Sequence, residues 1–223
     1  MRREQTSESI QVGLLLALAG GILDSYSYLN RGQVFATAET GNIVLLGLQL
    51  AQGRWLQALR YLLPILSFAA GVLAAELLRL RLGSHSARLH WRQPILLTEC
   101  LVLLAVALLP LGDWDPLANM LLSFTSAVQM ESFRKFHGCP CATTMCTGNL
   151  RSGTELLFRG LTAPDSGGGK AGLYYGLIFC FMAGAVCSGL LSPLLGGYTV
   201  LAACLPLLTA FVLMFRSPAD AST

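Results

Sequence analysis

Two carboxylates stand in otherwise apolar runs: Asp24 within Val12 to Tyr28, and Glu131 within Leu117 to Phe136. A carboxylate inside a membrane-spanning run is costly and is a functional-site candidate by default. A group there that takes up and releases a proton suits proton-coupled transport. Sixteen positions after each acid comes a Thr-Gly-Asn triplet, Thr40-Gly41-Asn42 and Thr147-Gly148-Asn149. Thr or Asn at a helix start can cap free backbone N–H groups. Gly lets another backbone or a ligand come close. Two helix starts, each carrying about half a positive charge, then offer a seat to an anion or polar solute. The competing reading is structural. In it the triplets are caps and close-packing points, and each acid is a clamp on the Thr-Gly-Asn element of its own half, Asp24 near Thr40 to Asn42 and Glu131 near Thr147 to Asn149.

The two copies lie 107 positions apart, and at the same offset Ser25 falls on Ser132, Tyr26 on Phe133 and Thr37 on Thr144. We read this as an internal duplication. Other polar groups lie nearby. Glu99 is six residues into an apolar run and either pairs with Arg92 or faces the interior. Gln129 precedes Glu131 by two, Glu39 directly precedes Thr40, and Glu76 and Arg79 form a local pair. Cys139-Pro140-Cys141 with Cys146 and His137 suggests a metal or redox set, but lacks zinc-type His spacing. Reduced thiols are the simpler expectation. The chain has no nucleophile-elbow, Walker or His-Glu-x-x-His pattern. Neither a cofactor, a resident metal nor an enzymatic activity is expected.

The elements that must position these groups are membrane helices. The 223 residues are 54% hydrophobic and only 12% charged, with mean hydropathy +0.60. Soluble domains carry about 25% charged residues. A net charge of +3 with scattered basic residues excludes a nucleic-acid partner. With about 20 apolar residues per span, the chain has room for roughly six spans and no soluble domain. The expected spans are Val12 to Tyr28, Tyr61 to Leu82, Pro94 to Leu111, Leu117 to Phe136, Gly172 to Leu191 and Tyr198 to Phe215. The first is not read as a signal peptide, because its acid-bearing pattern recurs deep in the chain. The stretch from Asn42 to Leu59, apolar only from Ile43 to Ala51, and the stretch from Asn149 to Leu161 are too short or too polar to span, and read as half-length helices. Phe181-Met-Ala-Gly184 echoes Phe68-Ala-Ala-Gly71, now at offset 113. With the N-terminus inside, 12 of the 15 basic residues fall on the cytoplasmic side, leaving Arg31, Arg54 and Arg60 outside. Both termini are then cytoplasmic. Three spans per copy force the second copy to enter from the opposite face, an inverted repeat of the kind many transporters use.

The pattern Gly20-Gly21-Ile-Leu-Asp24-Ser-Tyr-Ser-Tyr28, then Phe35, Thr40-Gly41-Asn42, Gln129 and Thr144 through Asn149, resembles the YoaK-like family of bacterial inner-membrane proteins. The resemblance covers nearly the whole chain. It implies a multi-pass protein of the bacterial inner (plasma) membrane and supplies no activity. The Cys139-Pro-Cys141 insertion and the Arg-rich second half-helix depart from the family pattern as we read it.

The sequence thus predicts an all-α integral membrane protein, a single membrane domain over residues 1–223. Six transmembrane helices form two inverted three-helix repeats, residues 10–111 and 117–216, each with a half-length helix starting at Thr-Gly-Asn. The expected function is a small secondary transporter or channel for a small polar or anionic solute, with proton coupling. The alternative is a non-transporting scaffold or accessory subunit. The substrate path or repeat interface is assigned to Asp24, Thr40, Gly41, Asn42, Glu99, Gln129, Glu131, Thr144, Thr147, Gly148 and Asn149. The expected partners are the lipid bilayer and a small polar solute; a homo-oligomer is compatible with the sequence.

Overall fold

The computed structural model describes residues 9–82, 92–136, 138–162 and 170–215. The N-terminal tail to residue 8, residues 83–91 of the polar loop expected from Gly83 to Gln93, His137, residues 163–169 of the Gly-rich loop expected from Thr162 to Lys170, and the residues from Arg216 onward lie outside the described residues. The order is α1 (Ile10–Asn30), α2 (Glu39–Ala51), α3 (Trp55–Leu82), α4 (Gln93–Leu108), α5 (Asp115–Ser132), β1 (Lys135–Phe136), β2 (Cys139–Pro140), α6 (Cys146–Thr162) and α7 (Ala171–Leu195). A 3-10 segment (Gly196–Ala203) then leads into α8 (Cys204–Leu213).

Three stretches are long and apolar enough to cross a membrane: Ile10–Asn30, Trp55–Arg81, and the run Ala171–Leu213 that joins α7 to α8. Gln93–Leu108 is apolar but shorter. Helix α5 buries Asn119, Ser123, Ser126 and Gln129, so its composition is more polar than a lipid-facing helix requires.

Helix α1 is the innermost element. Ser9 caps it, its Oγ accepting from the Val12 N–H at 3.3 Å. Val12, Leu16, Ala17, Ala19 and Tyr26 have no exposed surface. It packs along α7, and also against α8 and the 3-10 segment. In the other half α5 packs along α3 and against α4. Helix α2 lies on α3, and α6 on α7. Small residues set the two long crossings. A methyl group on Gly184 would collide with the Leu18 carbonyl oxygen, and one on Gly21 with the Phe181 carbonyl oxygen. At the α3–α5 crossing, a methyl on Gly71 would meet the Phe124 carbonyl oxygen and the Ala127 side chain. Close backbone approach through small residues is how helices associate where no hydrophobic force drives them together.

Several boundaries differ from expectation. Helix α5 stops at Ser132 rather than running to Phe136. There the chain turns into a two-stranded antiparallel hairpin, Lys135 opposite Pro140 and Phe136 opposite Cys139, around Gly138 at φ +71°. Phe133 and Phe136 are fully buried, and Phe136 fills the space above Gly13 of α1. The run expected as one helix from Tyr198 to Phe215 begins as 3-10 and becomes α-helical only at Cys204.

Arg31 was expected in an outside loop and is instead wholly buried. Its guanidinium donates to the carbonyls of Val106 (2.9 Å), Leu109 (2.9 Å) and Pro110 (3.0 Å), at the C-terminal end of α4 and its exit. It also donates to the Tyr26 hydroxyl at 2.8 Å and pairs with Asp115 at 3.1 Å, in the first turn of α5. Five partners on three helices leave the charge fully paired, as a buried cation requires.

The crossings generate a prediction. Gly184→Ala and Gly71→Ala should each cost about 1–3 kcal/mol through overpacking. Gly189→Ala, which meets nothing within 4 Å, should be neutral or slightly stabilising. Thermal unfolding of the purified variants measures this; equal midpoints for Gly184→Ala and Gly189→Ala would refute the crossing geometry.

Candidate functional site

Gly32 and Gln33, with φ of 82° and 60°, turn the chain out of α1 into a loop. Val34, Ala36 and Thr37 of that loop are buried. Buried backbone must be hydrogen-bonded, and two side chains provide for it. Asp24 accepts the Thr37 N–H at 2.6 Å on one oxygen and the Thr37 hydroxyl at 2.8 Å on the other. Asn42 donates to the Phe35 carbonyl at 2.8 Å and accepts the Phe35 N–H at 3.0 Å. So Asp24 does hold the loop of its own half, but through Thr37 rather than through Thr40 to Asn42. The expected caps are not formed at α2. The helix starts at Glu39, its N-cap is Ala38, and no side chain caps it. Asn42 points back to the loop instead.

The second copy repeats half of this. Asn149 donates to the Ala142 carbonyl at 2.7 Å, again seven residues back. The acid behaves differently. Glu131 does not reach Thr147 to Asn149; it forms an ion pair with Arg134, which also pairs with Glu76 of α3. Thr144, the counterpart of Thr37, donates instead to the Met130 sulfur at 3.4 Å. The Arg at position 134 has no matching base at position 27, where Ser stands. A neighbouring cation one helical turn away outcompetes the loop for the carboxylate.

Glu99 faces the interior, not Arg92. It is 1% exposed, one oxygen accepts the Gln129 amide at 2.8 Å, and the other completes no hydrogen bond. It lines a mostly apolar cavity of about 280 Å³ between α3, α4 and α5.

The larger cavity, about 580 Å³, brings both Thr-Gly-Asn starts together. Its walls come in matched pairs: Thr37 with Thr144, Ala38 with Met145, Glu39 with Cys146, Thr40 with Thr147, and Phe68 with Phe181. Asp24, Tyr28, Phe35, Met130 and Gly148 complete much of the lining, while Glu131, Glu99 and Gln129 lie outside it. Asn42 and Asn149 are buried behind it as loop ties, and Gly41 packs under the Phe35 ring. Glu39, noted in the sequence only as a neighbour of Thr40, is a cavity residue. One of its oxygens accepts the Asn42 amide at 2.9 Å; the other, near the Ser123 hydroxyl of α5, is buried and completes no hydrogen bond.

The thiols behave as packed groups. Cys139 and Cys141 are buried, and the Cys141 Sγ donates to the Cys139 carbonyl. Burial pushes the Cys141 thiol up to about 11. A thiol held protonated is a poor nucleophile and a poor metal ligand.

The chain belongs to the protein family of unknown function DUF1275, whose model matches residues 12–213. It is 31% identical over 144 residues to the UPF0700 transmembrane protein YoaK of Bacillus subtilis (strain 168). That match covers 62% of this chain and 62% of the relative's length. No solved structure matches the chain. The chain is therefore a membrane protein of the YoaK-like family, in keeping with its apolar helices.

The loop ties make a second prediction. Asp24→Ala should cost about 1–3 kcal/mol, because two buried donors on Thr37 lose their acceptor. Asp24→Asn should recover most of that loss, since its amide oxygen still takes the Thr37 N–H and the Thr37 hydroxyl can turn to accept. Asn42→Ala should cost more than Asn149→Ala, in proportion to the bonds each makes. Chemical or thermal unfolding in detergent gives the ranking; Asp24→Ala as stable as the unaltered protein would discard the tie.

Proposed function

We propose that this member of the DUF1275 family is a small secondary transporter or channel that passes a small polar solute through the cavity between its two Thr-Gly-Asn elements. The observation that carries the reading is that one cavity is bounded by matched residues from both copies of the duplication. In transporters built from inverted repeats, the site lies at the repeat interface and is formed by broken or short helices. Helix α2, of 13 residues, is a short element of that kind; α6, of 17 residues, is set apart by its polar composition, and the first turns of both form part of the walls.

The proposed architecture is six spans in two inverted repeats, with both termini cytoplasmic. Packing supports it. Exchanging α1 with α5, α2 with α6, α3 with α7 and α4 with α8 turns the α1–α7 contact into α5–α3, α2–α3 into α6–α7, and α4–α5 into α8–α1. The two long crossings also use Gly71 and Gly184, which the sequence pairs. The basic residues favour the same orientation.

A second reading, a non-transporting scaffold, is favoured by a different observation. Asp24, Asn42 and Asn149 direct their hydrogen bonds to neighbours in their own half, and the cavity wall is largely aromatic and aliphatic. Flux separates the two.

Two experiments follow. In a cysteine-free background, a single cysteine at Asp113 should label from outside and one at Arg88 from the cytoplasm. Labelling of both from one side removes the six-span architecture. In proteoliposomes the protein should raise uptake of small polar solutes above empty vesicles, with a dependence on the pH gradient. Phe68→Trp and Phe181→Trp, which fill the cavity, should each reduce that uptake severalfold. Flux unchanged in both variants would mean that the solute does not pass through this cavity.

A further inference from the structure

The charge of the cavity narrows the class of solute, an inference that rests on reading the cavity as a solute site. Asp24 and Glu39 line it, and among the described residues no Lys, Arg or His does. Both acids come from the first half of the chain. The position matched to Glu39 in the second half is Cys146, and Glu131, matched to Asp24, lies outside the lining and pairs with Arg134. The positive end of α2 is already answered by Glu39 in its own first turn. An anion would therefore meet two carboxylates and, among the described residues, no side-chain cation. Charges a few ångströms apart interact strongly where water is scarce, so the start of α6 alone is a weak counterweight.

The remaining wall is aromatic. Tyr28 and Phe35 stack with ring centroids 5.0 Å apart, and Phe68 and Phe181 also line the cavity. Ring faces attract cations within about 6 Å of the centroid. A bare metal cation is a poor fit, because sodium-like or magnesium-like ions need a shell of about six oxygen ligands. An ammonium group on an apolar body uses the whole surface. It pairs with the Glu39 carboxylate, which lines the cavity beside Asp24, and lays its hydrocarbon part on the rings.

We propose that the cavity takes a small organic cation, a protonated amine with an aromatic or alkyl body, whose ammonium sits between Glu39 and Asp24 and against the Tyr28–Phe35 pair. This replaces the polar or anionic solute expected from the helix starts alone.

The test uses two probes of equal size and opposite charge, benzylammonium and benzoate, with the purified full-length chain. Calorimetry should show benzylammonium binding and benzoate binding at least about tenfold more weakly, since a charged hydrogen bond and its pairing are at stake. Glu39→Gln should weaken benzylammonium by a similar factor. Glu155→Gln, on the exposed face of α6, should leave it unchanged. Benzoate binding as tightly as benzylammonium, or neither binding, overturns the inference. If Glu39→Gln does not fold, the comparison of the two probes on the unaltered protein still decides. Flux of both probes in proteoliposomes separates this inference from the transport reading. Benzoate moved in place of benzylammonium overturns the cation and keeps transport. Benzylammonium bound but never moved keeps the cation site and discards transport.

Discussion

A loop enclosed by apolar helices has to find its hydrogen bonds within the chain, and in this molecule that requirement falls on the segment between α1 and α2. Asp24 from the helix before and Asn42 from the helix after meet it. Everything near the cavity follows. The fixed loop sets where α2 begins, α2 sets the position of Glu39, and Phe35 is held where it stacks on Tyr28. A carboxylate is a costly thing to enclose. Here two donors from a single Thr compensate it, and a merely polar residue would hold the same loop less well. The second half needs less, because its chain leaves α5 through a hairpin that satisfies part of its own backbone.

The packing answers a different constraint. Two helices that cross with their backbones nearly touching need glycine or alanine at the crossing and nothing larger. Gly21 and Gly184 allow this for α1 and α7, and Gly71 with Ala127 for α3 and α5. The consequence is that helices distant in sequence become the closest neighbours. Each half of the chain places its second long helix against the first helix of the other half.

Much of this was legible in the residues, and the limits have physical causes. The recurrence of Thr-Gly-Asn was visible in the residues, and Asn42 and Asn149 do make the same bond to a carbonyl seven residues back. Gly71 and Gly184 were visible as an echo because close crossings tolerate no substitution. The partner of Asp24 was placed a few residues too late, at the triplet rather than at Thr37, because helix starts attract acids in general and the sequence does not show where the chain folds back. Glu131 was misread because similarity of position was given more weight than Arg134, one turn away. Arg31 was read as a loop charge because burial of a guanidinium depends on three carbonyls that lie some 75 residues or more further along the chain. The hairpin at Gly138 was legible only as a break: Gly138 and Pro140 interrupt the helical run, but strands of two residues leave no alternating pattern to show that the chain pairs with itself.

The Arg31 cluster also sets the mechanical character of the bundle. At that end, one enclosed guanidinium joins the tail of α1, the tail of α4 and the head of α5, and parting any of them strands a charge away from water. At the far end of α5, the ties between helices are ion pairs of Arg134 with Glu76 and Glu131, in which the Arg134 side chain is 45% exposed. Surface pairs of that kind break and re-form at little cost. Helix α5 is thus riveted to α1 and α4 at its head and only latched to α3 at its tail.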